Sequence, residues 1–256
     1  RTKNMATYRK FPYGSFLPYY ANGLLISNNA TTPNTMLDVG AGTILDSTGT
    51  FQIGLDATVT INAANTGLNG IDTGALAAST VYAVYIVCDP VSLQPSGAMI
   101  SLSLTQPYLP EGYGFFALVG YVTTDASAHF LKGYWSAGNS TSRTFTYDAP
   151  IICLTAGAAT SYTGVALTTF VPAVNNTAVS MYMLFAANAA GNTANLQGYN
   201  SVGDQVSLIA PVATGVANTT EIVSVLAQLN VAAPSIKYKV AAGALSLYVR
   251  GYSYGL

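Results

Sequence analysis

Few side chains in this sequence could carry out catalysis, and the single histidine is the first to consider. His129 would have to serve any Ser-His-Asp triad, because the chain holds 1 histidine. It stands at the start of a predicted strand. We therefore expect a structural role for His129.

The acidic residues do not form a recognisable metal or carboxylate site either. Asp38, Asp46 and Asp56 are too widely spaced for a calcium loop, and no histidine and cysteine have the spacing of zinc ligands. Two carboxylates that could hydrolyse a glycosidic bond would have to come from residues far apart in the sequence, and no local pattern marks such a pair. Gly40-Ala41-Gly42 lacks the third glycine and the helix of a phosphate loop, and it indicates a turn. We predict that the chain is not an enzyme and has no cofactor.

Aromatic residues are the most prominent candidates for binding. The chain holds 18 tyrosines, and Tyr248, Tyr252 and Tyr254 stand close together near its C-terminal end. Tyrosine packs through its ring and hydrogen-bonds through its hydroxyl, so such clusters serve protein interfaces or sugar faces. We favour the interface for these residues and keep a glycan site, which would include Trp135, as the alternative.

The low charge of the chain excludes several classes of function. Only 7% of the residues are charged, from 9 basic and 10 acidic side chains, against roughly 25% in an ordinary domain. Nucleic-acid binders need lysine and arginine to neutralise phosphates. The longest apolar runs, 81–88 and 115–122, fall well short of the roughly 20 residues that cross a bilayer. We therefore predict neither nucleic-acid binding nor a membrane span.

Residues 1–23 are predicted to form an extended N-terminal arm. The segment mixes basic with aromatic residues, and Pro12, Gly14 and Pro18 break any helical or strand periodicity. Such a segment cannot bury itself alone, so we expect it to dock on a partner chain or on its own domain. A disordered basic terminus is the alternative. The candidate docking residues are Arg9, Lys10, Phe11, Tyr13, Phe16, Tyr19 and Tyr20.

The elements that would position these residues are strands. Runs of β-branched and aromatic residues recur between turn-forming residues, which is typical of sandwiches and barrels. We predict an all-β fold of two tandem β-sandwich, jelly-roll-like domains, 24–136 and 137–256, that meet in the linker-like segment 136–143. Residues 223–229 fit a strand better than a helical turn, and Cys88 and Cys153 lie in strands as apolar residues. The predicted strands are 80–88, 98–105, 115–123, 130–135, 151–155, 179–186, 205–209, 221–229, 235–240 and 244–252.

Three phrases follow one another in the first half of the chain. They are Asn69-Gly70-Ile71-Asp72-Thr73-Gly74-Ala75-Leu76-Ala77, then Thr80-Val81-Tyr82 leading to Cys88-Asp89-Pro90, then Leu109-Pro110-Glu111-Gly112-Tyr113 ahead of Leu118-Val119-Gly120. In this order they resemble a module that is frequent in tail-fibre and other virion proteins of tailed bacteriophages. Phrases of the second half, including 236–240 and 249–252, resemble the segment that commonly follows this module. Residues 115–118 depart from it, because basic residues usually stand there.

The resemblance implies a non-enzymatic, β-rich and oligomeric structural protein of a phage particle. We expect a tail fibre or tail-appendage subunit, a homotrimer that docks on other virion proteins through its arm after assembly in the bacterial cytoplasm. A capsid decoration protein or head fibre is the nearest alternative. A carbohydrate-binding module that stacks host-surface glycans on Trp135, Tyr252 or Tyr254 is the second, and a glycan-cleaving depolymerase is the third. The low charge agrees with a subunit, because interface cores are depleted of charge.

Overall fold

The computed structural model describes residues 9–10, 21–89, 94–139, 142–174, 177–198, 206–209, 219–225 and 234–255. These residues form strands, turns and loops, which confirms the predicted all-β class. They include no helix that could cross a membrane. The strands are β1 (Arg9–Lys10), β2 (Ala21–Gly23), β3 (Ile26–Asn28), β4 (Met36–Val39), β5 (Gly42–Leu45), β6 (Phe51–Leu55), β7 (Val59–Asn62), β8 (Val81–Asp89), β9 (Gln94–Ser101), β10 (Phe115–Thr123), β11 (Gly133–Asn139), β12 (Ser142–Gly157), β13 (Thr163–Ala166), β14 (Ala178–Ala186), β15 (Thr193–Gly198), β16 (Val206–Ile209), β17 (Thr219–Val225), β18 (Ser235–Val240) and β19 (Ala244–Gly255).

The chain divides into two compact units. Unit 1 is Arg1–Thr144 with Leu256, and unit 2 is Phe145–Gly255, so the division falls inside β12. In its described part the segment 136–143 belongs to β11 and β12, although its composition favours a linker. The tandem arrangement with a boundary at 136–137 stays a prediction.

Unit 1 is organised around β8. Residues 82–88 of this strand are buried, as expected for an unbroken apolar run that is covered on both faces. β8 pairs antiparallel with β9 on one edge and with β10 on the other. The shorter strands form two further antiparallel series, β1-β6-β5-β2 and β11-β3-β4-β7. Their inward residues, among them Leu37, Val39, Ile53 and Ile61, extend the apolar core of the unit.

Unit 2 contains the clearest alternating strands of the chain. In β14, Val179, Met181, Met183 and Phe185 are buried while the residues between them are half-buried. β14 pairs antiparallel with β17 on one side and with β19 on the other. This period of two is the pattern of a sheet with one face in the core.

A cluster of aromatic rings fills another part of the core of unit 2. The ring of Phe145 lies 4.6 Å from that of Tyr147 and 5.3 Å from that of Tyr252, centroid to centroid. Tyr252 and Tyr254 follow each other on β19 with ring centroids 5.9 Å apart. Offset and edge contacts between aromatic rings stabilise a core beyond the area that they bury.

The second sheet of unit 2 has the order β13-β18-β15-β16.

The predicted strand 98–105 is wrong beyond Ser101, where β9 ends. The Oγ of Ser101 accepts a hydrogen bond from the amide of Ser103 at 3.0 Å, and the hydroxyl of Tyr85 donates to the carbonyl of Ser103 at 2.9 Å. Local side-chain bonds of this kind compete with a strand ladder and turn the chain. The alternation of Ser101-Leu102-Ser103-Leu104 therefore continues into a loop, where Leu102 is exposed.

Candidate functional site

Most of the predicted docking arm lies outside the described residues. Arg9–Lys10 forms β1 and pairs with β6, with Arg9 opposite Gln52 and Lys10 opposite Phe51. Phe11, Tyr13, Phe16, Tyr19 and Tyr20 belong to the part of the chain that is not described. Docking through this arm stays a prediction.

The rings predicted to bind a partner or a glycan are mostly buried. Trp135 is 6% exposed, and its Nε1 donates a hydrogen bond to the carbonyl of Tyr121 at 3.2 Å. Tyr252 and Tyr254 are each 1% exposed. Stacking on a sugar requires an open ring face, which these three residues do not offer. Tyr248 is half-buried and meets Tyr182 edge to face on a neighbouring strand, with centroids 5.8 Å apart.

His129 belongs to a tight turn. The Oδ1 of Asp125 accepts hydrogen bonds from the backbone amides of Ser127 at 2.8 Å and of His129 at 2.9 Å. The turn is completed by Ala128 at a φ of 59°, and the His129 Nδ1 lies 3.8 Å from the Asp125 carboxylate. Asp125 therefore shapes the turn, and the structure supports the structural role expected for His129.

Side chains of the first phrase, residues 69–77, fasten it to the central strands of unit 1. The Oδ1 of Asn69 accepts from the amide of Ala98 in β9 at 3.1 Å, while the amide of Asn69 donates to the carbonyl of Ala98 at 2.8 Å. A Cβ at Gly97 would meet the side chains of Leu68 and Asn69, so a larger residue there would displace them. The buried hydroxyl of Tyr82 in β8 accepts from the amide of Ala77 at 2.7 Å.

Asp72 joins the same phrase to the loop that follows β9. Its side chain is buried, and its Oδ1 accepts from the amide of Thr73 at 2.7 Å. Its Oδ2 accepts from the amide of Tyr108, which is 36 residues further along the chain, at 3.0 Å. The amide of Asp72 also donates to the carbonyl of Ile100 at 2.8 Å. Asp72 therefore links residues 69–77 to the loop that contains Tyr108, next to the C-terminal end of β9.

The loop 102–108 is held along its length. Besides the bonds at Ser103 and Tyr108, the Oγ of Ser103 accepts from the amide of Gln106 at 3.1 Å. Burial raises the pKa of the Tyr85 hydroxyl, and the nearby Tyr121 and Asp72 raise it further, so this group remains a donor to the loop. A loop with so many backbone anchors has a defined shape before any ligand arrives.

An open cleft of about 570 Å³ lies beside this loop. It is lined by Asp72, Thr73 and residues of the segment 101–108. The Tyr108 side chain is 72% exposed at the cleft, and Leu102 is exposed as well. The hydroxyl residues Thr73 and Thr105 are exposed around it. The volume lies in the range of small-molecule sites, which is about 300–1,000 Å³.

Sequence reasoning missed Tyr108 as a candidate binding residue. The signal that could have identified it is its setting, because an aromatic residue between Pro107 and Pro110 belongs to a turn-rich loop and not to a strand. Exposed aromatic residues in loops are candidates for recognition. The position of Asp72 beneath the same loop depends on a long-range contact that local patterns do not contain.

Comparisons with known proteins do not assign the chain to a family. No family model matches it, and no curated protein does. Among solved structures, a carbohydrate-binding module from Cellvibrio mixtus lichenase 5A in complex with cellotriose is 14% identical, with a TM-score of 0.23 over 48% of this chain and 86% of that chain. A structure of the infectious bursal disease virus Gt strain is also 14% identical, with a TM-score of 0.20 over 99% of this chain and 72% of that chain. Both likenesses are compatible with a structural or binding role, and at these scores they carry no argument for it.

Proposed function

We propose that this chain is a non-enzymatic structural subunit of a bacteriophage particle, and that it serves as a tail fibre or tail-appendage subunit. The proposal rests on the resemblance of its phrases to a module of tailed-phage virion proteins. The structural observation that supports it is that residues of those phrases hydrogen-bond to backbone groups within unit 1. Asn69, Asp72 and Tyr82 all direct polar atoms to backbone groups.

Hydrogen bonds from these side chains to the backbone are what we expect of a motif that maintains the local structure. A catalytic motif directs its reactive atoms at a substrate, whereas the carboxylate of Asp72 accepts two backbone amides and the hydroxyl of Tyr82 is buried. Buried polar groups with complete hydrogen bonding specify one arrangement of a core. Phrases that fasten a loop onto β8 and β9 are what a recurring structural module requires.

The low charge of the chain gives independent support. The half-buried positions of β14 and β19 carry Tyr182, Leu184 and Tyr248 between serines, and Arg250 is the one charged residue among them. Interface cores are depleted of charged residues and enriched in tyrosine. In this proposal, neighbouring subunits of a homotrimer or of the particle cover surfaces of this kind.

A capsid decoration protein or head fibre is the alternative within the same class. The resemblance covers virion proteins besides tail fibres, so it is compatible with either position. The two functions differ in where the chain lies on the particle, so they are separated by location and not by fold.

Incorporation into particles tests the proposal. Cells producing phage would supply either the full chain or a variant without residues 1–20, both with the same C-terminal tag, and purified particles would be probed for the tag. We expect the full chain in the particles, the shortened chain only in the unassembled fraction, and a mass of three chains for the purified protein. Absence of the full chain from particles would contradict the proposal, and incorporation of the shortened chain would contradict docking through the arm.

A further inference from the structure

We propose that the cleft beside Asp72 binds a neutral saccharide, with the ring of Tyr108 as the surface on which a sugar stacks. The inference does not depend on a place in a phage particle, because it rests on the cleft alone. Tyr108 combines a large apolar ring with 72% exposure, and its backbone is fixed to Asp72. A ring held open to solvent on an anchored backbone suits stacking on the apolar face of a sugar.

The polar rim of the cleft complements sugar hydroxyls. Thr73, Thr105 and Gln106 are exposed around it. Hydroxyl and amide groups both donate and accept hydrogen bonds, as do the hydroxyls of a sugar. An aromatic face next to a few convergent polar groups is the usual composition of a small-ligand site.

The charge of the lining indicates which saccharides fit. None of the residues that line the cleft is lysine, arginine or histidine, and the single ionisable carboxylate among them is Asp72. An anionic sugar would find no cation to pair with and would meet the negative charge of Asp72. The cleft therefore favours neutral hexoses over sialic or uronic acids.

The geometry of the loop reduces the cost of binding. Ser101, Ser103 and Asp72 each fix a backbone amide of the segment 103–108, and Tyr85 fixes a carbonyl. Ordering a mobile loop would consume part of the binding free energy, whereas a loop already in place leaves more of it for affinity. The same bonds allow the Tyr108 side chain to be shortened without loss of the loop, since its anchor is the backbone amide.

The test compares the full chain with two tyrosine variants on an array of neutral and anionic oligosaccharides, followed by titration calorimetry with the strongest neutral binder. Tyr108→Ala removes the proposed platform. Tyr134→Ala is the matched control, because Tyr134 is also exposed, at 56%, and does not line the cleft. We expect binding of neutral oligosaccharides that Tyr108→Ala weakens on the order of tenfold, the loss of one aromatic contact, while Tyr134→Ala leaves it unchanged.

Three results would overturn the inference. The first is no binding of any neutral oligosaccharide at millimolar concentration by the folded chain. The second is binding that Tyr108→Ala leaves unchanged, which would place the sugar elsewhere. The third is a preference for sialylated or uronic-acid sugars, which would contradict the charge argument. None of these results bears on incorporation into particles, so the two proposals fail separately.

Discussion

Replacing the buried carboxylate of Asp72 with an amide should release the loop 102–108. In Asp72→Asn, one of the two side-chain oxygens becomes an NH₂ group, which cannot accept a hydrogen bond. The Oδ1 bond to the amide of Thr73, at 2.7 Å, is shorter than the Oδ2 bond to the amide of Tyr108, at 3.0 Å. We expect the remaining oxygen to keep Thr73, so that the amide of Tyr108 faces another donor.

The size of the effect follows from the bond that is lost. A hydrogen bond to a charged acceptor contributes about 1.5–3 kcal/mol, and a loss of about 2 kcal/mol corresponds to a factor of about 30 in the opening equilibrium of the loop. Hydrogen exchange measured by mass spectrometry should therefore show exchange about 30-fold faster for the Tyr108 amide, while β8 stays protected.

The control for this experiment is Glu111→Gln. It makes the same chemical change at an exposed residue close to the loop, and it should leave the exchange of the segment 102–108 as it is. Asp72 does not anchor the loop if the loop in Asp72→Asn exchanges as in the unchanged chain, or if Glu111→Gln accelerates its exchange as much.

Three further substitutions or conditions test the described structure by chemical denaturation. Asp46→Asn should destabilise by about 3 kcal/mol, because the buried carboxylate accepts from the amides of Thr50 and Phe51 at 2.8 and 2.7 Å and from Thr48. Tyr82→Phe should cost about 1–2 kcal/mol, since it leaves a loop amide without its acceptor while preserving the ring. Stability should also decline as the pH rises from 9 towards 12. Burial, reinforced by Asp89 and Asp46, raises the pKa of the Cys88 thiol to about 12 from the 9.0 of an ordinary thiol. The unfolded chain therefore releases that proton first. Cys88→Ala should remove part of the decline, and an equally steep decline in that variant would contradict the assignment.

Long apolar or alternating strands could be predicted from the sequence, and most of the short strands could not. The bounds of β10 and β18 agree with the predicted strands 115–123 and 235–240, because their patterns are local. The strands β2 to β7 were missed, since they are three to five residues long and all but β4 contain glycine, asparagine or threonine. Strands of that kind depend on pairing partners elsewhere in the chain.

Local sequence patterns did not predict which residues lie at the candidate site either. Of the three tyrosines grouped near the C-terminal end, Tyr252 and Tyr254 lie together whereas Tyr248 contacts Tyr182, and closeness in the sequence does not distinguish a core from a surface. Tyr252 and Tyr254 lie in the core because a register shift in the β14–β19 pair, between Ser180 and Met181, changes the alternation of β19. Tyr108 lies at a cleft because Asp72 binds its amide across 36 residues, which no local pattern contains.

The location of the chain on purified phage particles is the most direct test of a tail-fibre role. An antibody against the folded chain, coupled to gold and viewed by electron microscopy, should label the tail of each particle. Labelling of the shell would contradict the tail-fibre assignment and support the decoration or head-fibre alternative. Particles without label, from cells that produce the chain in quantity, would contradict a structural role in the virion.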